Sequence, residues 1–269
     1  MERPAWAPRG IDISMPSVSR IYDYYLGGSH NFEVDREAAR KAIGFLPGLP
    51  AIMKANRAFM RRAVNFALDD GITQFLDIGS GIPTFGNVHE VAQAAEPAAR
   101  VLYVDHDPVA VAHSEAVLAE NDNAVVMAAD LRKPQQILTG PEARLLDLDR
   151  PVALLLVAVL HFLEDADKPY EAVAELRDAL APGSLLILTH ASYEGIPATE
   201  EQAGGAVGVY RTIRNPLVMR GRAETARFFD GFDLVEPGLV AMPEWRPDTP
   251  VAQADPFAFS GFAGVGRKA

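Results

Sequence analysis

Cysteine is absent from the 269 residues. Disulfides, thiolate metal ligands and a cysteine nucleophile are therefore excluded. Long apolar runs are also missing. The longest, Val152 to Leu163, is interrupted by His161 and falls short of the roughly 20 residues a membrane span needs. The first residues carry Pro4, Pro8, Gly10 and Pro16 and no apolar core of the signal-peptide kind. Positive charge is scarce: 25 Lys and Arg face 36 Asp and Glu, a net charge of −11. Such a surface repels phosphate backbones at long range. Neither nucleic acid nor a membrane is expected as a partner, and a cytoplasmic location is the simplest expectation. No His/Asp/Glu cluster has metal-ligand spacing, so no metal is expected. Ser80 and Ser192 lack a nucleophile-elbow context, which makes a hydrolase a weak reading.

A hydrophobic content of 49% with 23% charged residues describes a globular chain that can bury a sizeable core. Its organising stretch is Phe75-Leu76-Asp77-Ile78-Gly79-Ser80-Gly81-Ile82-Pro83. Phe75, Leu76 and Ile78 predict a short buried strand. Gly79 and Gly81 let the backbone turn sharply and approach a ligand. Asp77 is costly inside an apolar strand unless something pairs with it, so it asks for a cationic or donating partner. A triphosphate loop would need a Lys after its second glycine, and none follows. A dinucleotide turn would need a third glycine, where Thr84 stands. What remains is Asp-x-Gly-x-Gly.

Apolar starts near 75, 101, 124, 152 and 185 are separated by connections long enough for crossover helices. That alternation predicts a parallel, doubly wound sheet with right-handed crossovers. Ligands of such sheets bind at the C-terminal strand tips. The tips gather residues 77–81, Asp105 with His106, Asp130 with Leu131, 158–161 beginning at Ala158, and His190. Asp105 can accept both hydroxyls of a ribose, whereas Asp107 before Pro108 is explained by helix capping. Asp130 can accept from an adenine amino group or simply hold a turn, and Arg132 can pair with it or be exposed. Before the first strand, Ile52, Ala55, Phe59, Ala63 and Phe66 recur at helical spacing, with Arg57, Arg61 and Arg62 off the stripe. Arg61-Arg62 reads as a solvated face. Residues 194–216, rich in glycine and proline, read as a mobile insertion rather than a core element. Tyr210, Arg211, Arg214, Arg220 and Arg222 form a locally basic stretch that reads as a solvated helix face, with an anionic-substrate contact as the alternative. Phe232-Asp233-Leu234-Val235 with Gly238-Leu239-Val240 predicts a sixth strand, and Phe257 to Gly266 a seventh.

Asp77 to Thr84 resembles motif I of the S-adenosylmethionine (SAM)-dependent methyltransferases with the seven-stranded Rossmann-like fold. Arg20-x-Tyr22-Asp23-Tyr24-Tyr25-Leu26-Gly27-Gly28 resembles the N-terminal signature of an actinobacterial family of such enzymes of unassigned substrate, formerly a domain of unknown function. Tyr103-Val104-Asp105-His106-Asp107-Pro108 and Ala129-Asp130-Leu131-Arg132 are similar to the same family. The resemblance implies an α/β fold with strand seven antiparallel between five and six, SAM as cofactor and S-adenosylhomocysteine (SAH) as product. It implies methyl transfer to a small-molecule acceptor, and makes secondary metabolism the expected setting. Residues 1–70 then form an N-terminal arm and helical lid, and residues 71–269 the SAM-binding domain with an insertion near 193–225. Asp77, Gly79, Ser80, Gly81, Pro83, Asp105, His106, Asp130, Leu131 and Ala158 are the expected cofactor contacts. Tyr22, Gly28 and Asn31 join them from the lid, unless that aromatic stretch merely packs on the domain.

Methyl transfer from a sulfonium needs alignment and dryness more than acid–base help. Where the acceptor must lose a proton, His161 and His190 are the candidate bases; the bland reading of each is a hydrogen-bonded structural histidine. Two alternatives stay open. One is a SAM-binding protein without methyl transfer, acting as a sensor or partner. The other, disfavoured by Thr84, is an NAD(P)-dependent oxidoreductase.

Overall fold

The computed structural model describes residues 13–83, 86–213 and 217–269. Thr84, Arg214 and most of the N-terminal arm lie outside the described residues. Seven strands form one sheet: β1 (Gln74–Ile78), β2 (Arg100–Asp105), β3 (Ala124–Ala128), β4 (Ala153–Val157), β5 (Leu185–His190), β6 (Phe232–Leu234) and β7 (Phe262–Lys268). Their order is β3-β2-β1-β4-β5-β7-β6. The first five strands pair in parallel, and β7 runs antiparallel between β5 and β6. The expected Rossmann-like sheet with its antiparallel seventh strand is what forms.

The helices are α1 (Val18–Tyr25), α2 (Glu33–Phe45), α3 (Leu49–Asp69), α4 (Val88–Ala95), α5 (Pro108–Leu118), α6 (Pro134–Thr139), α7 (Pro169–Ala179), α8 (Glu200–Thr212) and α9 (Arg222–Ala226). Strand side chains alternate between two cores, as a period of two requires. Leu76, Leu102, Leu154 and Leu186 point into one core; Phe75, Val101, Leu155 and Ile187 point into the other, against α3. Asp77 shares the second face, in register with Tyr103 and Leu155. That placement turns it toward α3.

The N-terminal helices are fastened to the sheet domain. Arg20 donates from Nε to Asp35 at 2.8 Å and lies 3.8 Å from Asp107. The Ser17 hydroxyl also donates to Asp107. Phe32 packs against Ile82, Val109 and Ala110, so the cover touches the loop after the glycine turn.

Residues 194–216 are not a segment without core role. They contain α8, whose Ala206, Val209 and Tyr210 pack with Ile21, Tyr25 and Ala39 in a third core. Thr199 and Gln202 cap its start reciprocally. The seventh strand starts later than expected, because Asp255 accepts from the Phe257 N–H and Pro256–Phe259 coils into a short 3₁₀ turn. Only Val240 of the predicted second half of strand six reaches the sheet, through one bridge to Ala263. Among the described residues no helix is long and apolar enough to cross a membrane.

Candidate active site

The glycine turn wraps over the end of β2. Gly79 and Gly81 hold φ of 75° and 69°, a region open to glycine at little cost. A Cβ on Gly79 would also stand 2.4 Å from Val159. The Gly79 N–H donates to Val104 O at 2.7 Å, and the Gly81 N–H donates to Asp105 Oδ2 at 2.7 Å. Asp105 Oδ1 accepts from the Asp107 N–H at 2.8 Å. One carboxylate thus fixes both the turn and the start of α5, and each oxygen keeps lone-pair capacity toward the cavity. Burial raises the Asp105 carboxyl above its ordinary range, against the pull of those two N–H groups.

Asp77 is 7% exposed. Among the described residues no hydrogen bond or ion pair reaches its carboxylate. Burial pushes it up to about 7; the Arg57 guanidinium pulls it down and the Asp105 charge pushes it further up. The Ser80 hydroxyl is likewise buried with no hydrogen-bond partner among the described residues. Asp130 closes the third corner. Burial raises its carboxyl, but the hydrogen bonds and charge of Arg132 outweigh that and hold it below the ordinary range. Arg132 donates to it from Nε and Nη2 at 3.0 and 2.7 Å.

One cavity collects Tyr22, Asp77, Gly79, Ser80, Gly81, Asp105, His106, Asp130, Leu131, Ala158, His161 and His190. Three of the expected contacts do not line it. Pro83 borders a separate small pocket beside Asn87 and Tyr103. Asn31 donates to Asp23 Oδ2 at 2.7 Å and to Gly28 O at 3.0 Å. A Cβ on Gly28 would meet Asp23 Oδ1 at 1.9 Å, so Gly28 and Asn31 serve the fold of the α1–α2 turn.

The two histidines differ. His190 Nδ1 lies 2.8 Å from Ala191 O, and its Nε2 lies 3.2 Å from Arg220 Nη1. Guanidinium only donates, so Nε2 is the acceptor and the proton sits on Nδ1. Burial lowers this ring to about 4. Its lone pair is committed to Arg220. His161 Nδ1 accepts from the Ala191 N–H at 3.3 Å, which leaves Nε2–H as a donor. Burial, His190 and Arg220 hold His161 well below its ordinary value.

Arginine holds most of what the sequence reading missed. Arg220 is not on a solvated face. It is 2% exposed and donates to Leu160 O, Leu163 O and Asp165 at 3.2, 3.0 and 2.8 Å. No local signal marks it. Arg62 donates to Trp245 O and Met242 O at 2.9 and 2.7 Å, which corrects its reading as solvated; Arg61 is exposed. Arg57 acts on Asp77 and was findable, since a buried strand carboxylate asks for a cation and the preceding helix offers one off its apolar stripe. Asn56 was missed as well. It accepts from the Thr189 hydroxyl at 2.7 Å and donates to Tyr22 OH at 2.9 Å. The Thr189 hydroxyl in turn accepts from the Ala158 N–H at 2.8 Å, steadying a non-glycine residue at φ 57° that otherwise costs about 1–2 kcal/mol. Arg220→Ala should destabilise the protein by about 3–5 kcal/mol, because two carbonyls and a ring nitrogen are left buried without a donor. A urea unfolding midpoint unchanged from wild type would contradict this.

The donor set suits SAM. The buried Asp77 carboxylate, which accepts no hydrogen bond among the described residues, and the unpartnered Ser80 hydroxyl flank the glycine turn, where a ligand's cationic amino-acid end can satisfy them. No group of three or more His, Asp or Glu able to hold a metal occurs among the described residues.

A family model described as S-adenosyl methyltransferase matches residues 4–269. A candidate methyltransferase of Thermobifida fusca YX is 42% identical, with a TM-score of 0.91 over 98% of this chain and 99% of that one. A DUF574-family protein of Streptomyces avermitilis MA-4680 is 38% identical, with a TM-score of 0.90 over 96% and 99%. The trans-methyltransferase CalH, solved with SAH, shares the fold alone at 16% identity and a TM-score of 0.53, over 92% of this chain and 66% of that one. No curated protein matches the chain. Nothing in the fold or these likenesses favours a dehydrogenase or a binding protein without transfer. On the family match over nearly its whole length, the chain belongs to the S-adenosyl methyltransferase family and is a SAM-dependent methyltransferase.

Proposed function

We propose that the chain methylates a small-molecule acceptor held between the strand tips and the cover made by α1, α3 and α8. In this reading Asp105 accepts from the ribose hydroxyls of SAM, and Asp77 and Ser80 face its amino-acid end. Asp130 and Leu131 border the base. The observation that carries the reading is Ser80 Oγ, buried with no hydrogen-bond partner among the described residues, beside the buried Asp77 carboxylate, to which no hydrogen bond is made among those residues.

SAM supplies a methyl group already activated on a sulfonium. The chain's own work is to orient the two reactants and exclude water. The chain Ala158–Thr189–Asn56–Tyr22 ties the β4 and β5 tips to α3 and α1, and so fixes the wall between the cofactor end and the cover. His190 holds Arg220 and takes no proton. His161 presents a donor rather than a base. The acceptor therefore brings its own nucleophilic lone pair. A cytoplasmic location and a role in secondary metabolism belong to the same proposal.

Incubation of the protein with methyl-labelled SAM and a fractionated cell extract tests it. Label is expected in a small-molecule fraction. Label appearing only in protein or nucleic acid would overturn the proposal.

A further inference from the structure

The lining of the cavity is sorted by charge, and the sorting follows the elements. Every Asp, Lys, Glu or Arg among its described lining residues stands at the cofactor end: Asp77, Asp105, Asp130 and Arg132 at the strand tips, and Arg57 on α3 facing Asp77. The remainder is of another kind. From α3 come Ile52, Met53 and Met60; from α8 come Ala203, Ala206 and Val207. Phe162, Met219 and Met242 complete that wall. Unbranched methionines adapt to irregular flat or branched ligands. No carboxylate or ammonium lines that wall; the one guanidinium that reaches it, Arg57, whose Nη1 lies 3.8 Å from Met60 Sδ, is engaged by the Asp77 charge, and an uncompensated buried charge is strongly disfavoured.

Among the polar groups near the apolar wall, the Tyr210 hydroxyl is bonded to Tyr25 and Ser192 Oγ accepts from the Glu194 N–H; two others keep hydrogen-bonding capacity. Ser260, 4% exposed, has a hydroxyl with no hydrogen-bond partner among the described residues. His161 offers the ring N–H left over from its bond to Ala191. Both line the cavity. A buried hydroxyl without a partner is rare and calls for a ligand group. Together the two suit a neutral carbonyl, hydroxyl or amine.

We propose that the half of the cavity beneath α8 is the methyl-acceptor compartment. It takes an uncharged, largely apolar molecule with one neutral hydrogen-bonding group, read by Ser260 and His161. The proposal deepens the reading of a small-molecule acceptor and rests on it. It also separates specificity from cofactor binding: α8 selects the acceptor, and the strand tips hold SAM.

A matched pair of fluorophores tests the charge rule on the full chain saturated with SAH. Phenylnaphthylamine is neutral, and anilinonaphthalene sulfonate is the same ring system with an anionic sulfonate added. The neutral probe should bind saturably, and the sulfonate at least ~30-fold more weakly. Val207→Trp, at a position of α8 that lines the cavity but is not part of the α1–α2–α8 core, fills the compartment and should abolish neutral-probe binding while SAH affinity stays within about twofold. Ala203→Leu, a milder filling, should weaken it about tenfold and serves if the Trp variant does not fold. Equal or tighter binding of the sulfonate, or probe binding indifferent to both variants, would overturn the inference. Those outcomes are distinct from failure of the small-molecule reading, which shows as misplaced methyl label whatever the probes do.

Discussion

Asp105→Ala is expected to weaken SAH binding by about 3–4 kcal/mol, on the order of 10²- to 10³-fold. Two effects combine. The first is loss of a charged acceptor for two ribose hydroxyls, since hydrogen bonds to charged groups contribute about 1.5–3 kcal/mol each. The second is release of the glycine turn, because the Gly81 and Asp107 N–H groups now held by this carboxylate lose their common partner. The sheet itself should survive. The β1–β2 and β2–β3 pairings run the length of their strands and do not depend on this side chain. The check is calorimetric titration with SAH, alongside circular dichroism of the variant. An affinity within about threefold of wild type would remove Asp105 from the cofactor site.

A second large effect concerns pH. Asp77 is pushed up to about 7 in the free protein, and a cationic amino-acid group favours its ionised form. Binding below pH 7 must then first remove a proton. SAH affinity should fall about tenfold per pH unit below 7 and level off above it. Asp77→Asn should flatten the profile at a weak level. Wild-type affinity flat between pH 5 and about 8 would contradict the assignment. Melting temperature is the poorer readout. The folded value of Asp77 lies above its ordinary 3.8, so its contribution to stability is present below that value and is lost as pH climbs through 7. His190 works the other way. Its folded value of about 4 lies below 6.5, so stability rises with pH across that window. The two cancel in part in a melting curve, whereas only Asp77 sits where the ligand's charge would be felt.

The sheet was legible because its signals are local. Apolar runs of strand length, glycine exits and the Asp107-Pro108 helix start all lie within a few residues of one another. That three carboxylates meet at one cavity was legible for a related reason: Asp105 ends β2, Asp77 precedes the last residue of β1 and Asp130 lies two residues beyond β3, and parallel strands bring their ends together. What could not be read was settled by distant partners. Three glycines in 204–208 argue against a helix, yet α8 forms because Ala206, Val209 and Tyr210 bury against α1 and α2. Gly205 is even required, since a Cβ there would stand 2.3 Å from the Phe45 ring. Arg220 looked like one of several surface cations. Its carbonyl partners lie some sixty positions earlier in the chain, and no periodicity encodes them. Gly28 and Asn31 carry a recognisable signature, and the structure places both against Asp23 in the α1–α2 turn, outside the cavity lining. His190 ends β5 and His161 sits in the turn four residues beyond β4, and both line the cavity, but which ring nitrogen is free depends on Ala191 and Arg220, and sequence is silent on that.

The most direct measurement is a crystal structure of the protein grown with SAH. The account predicts the ribose hydroxyls within hydrogen-bonding distance of Asp105 and the amino-acid end against Asp77 and Ser80. SAH bound instead in another depression of the molecule, such as the groove between α3 and Pro243–Pro250, or absent at saturating concentration, would contradict it.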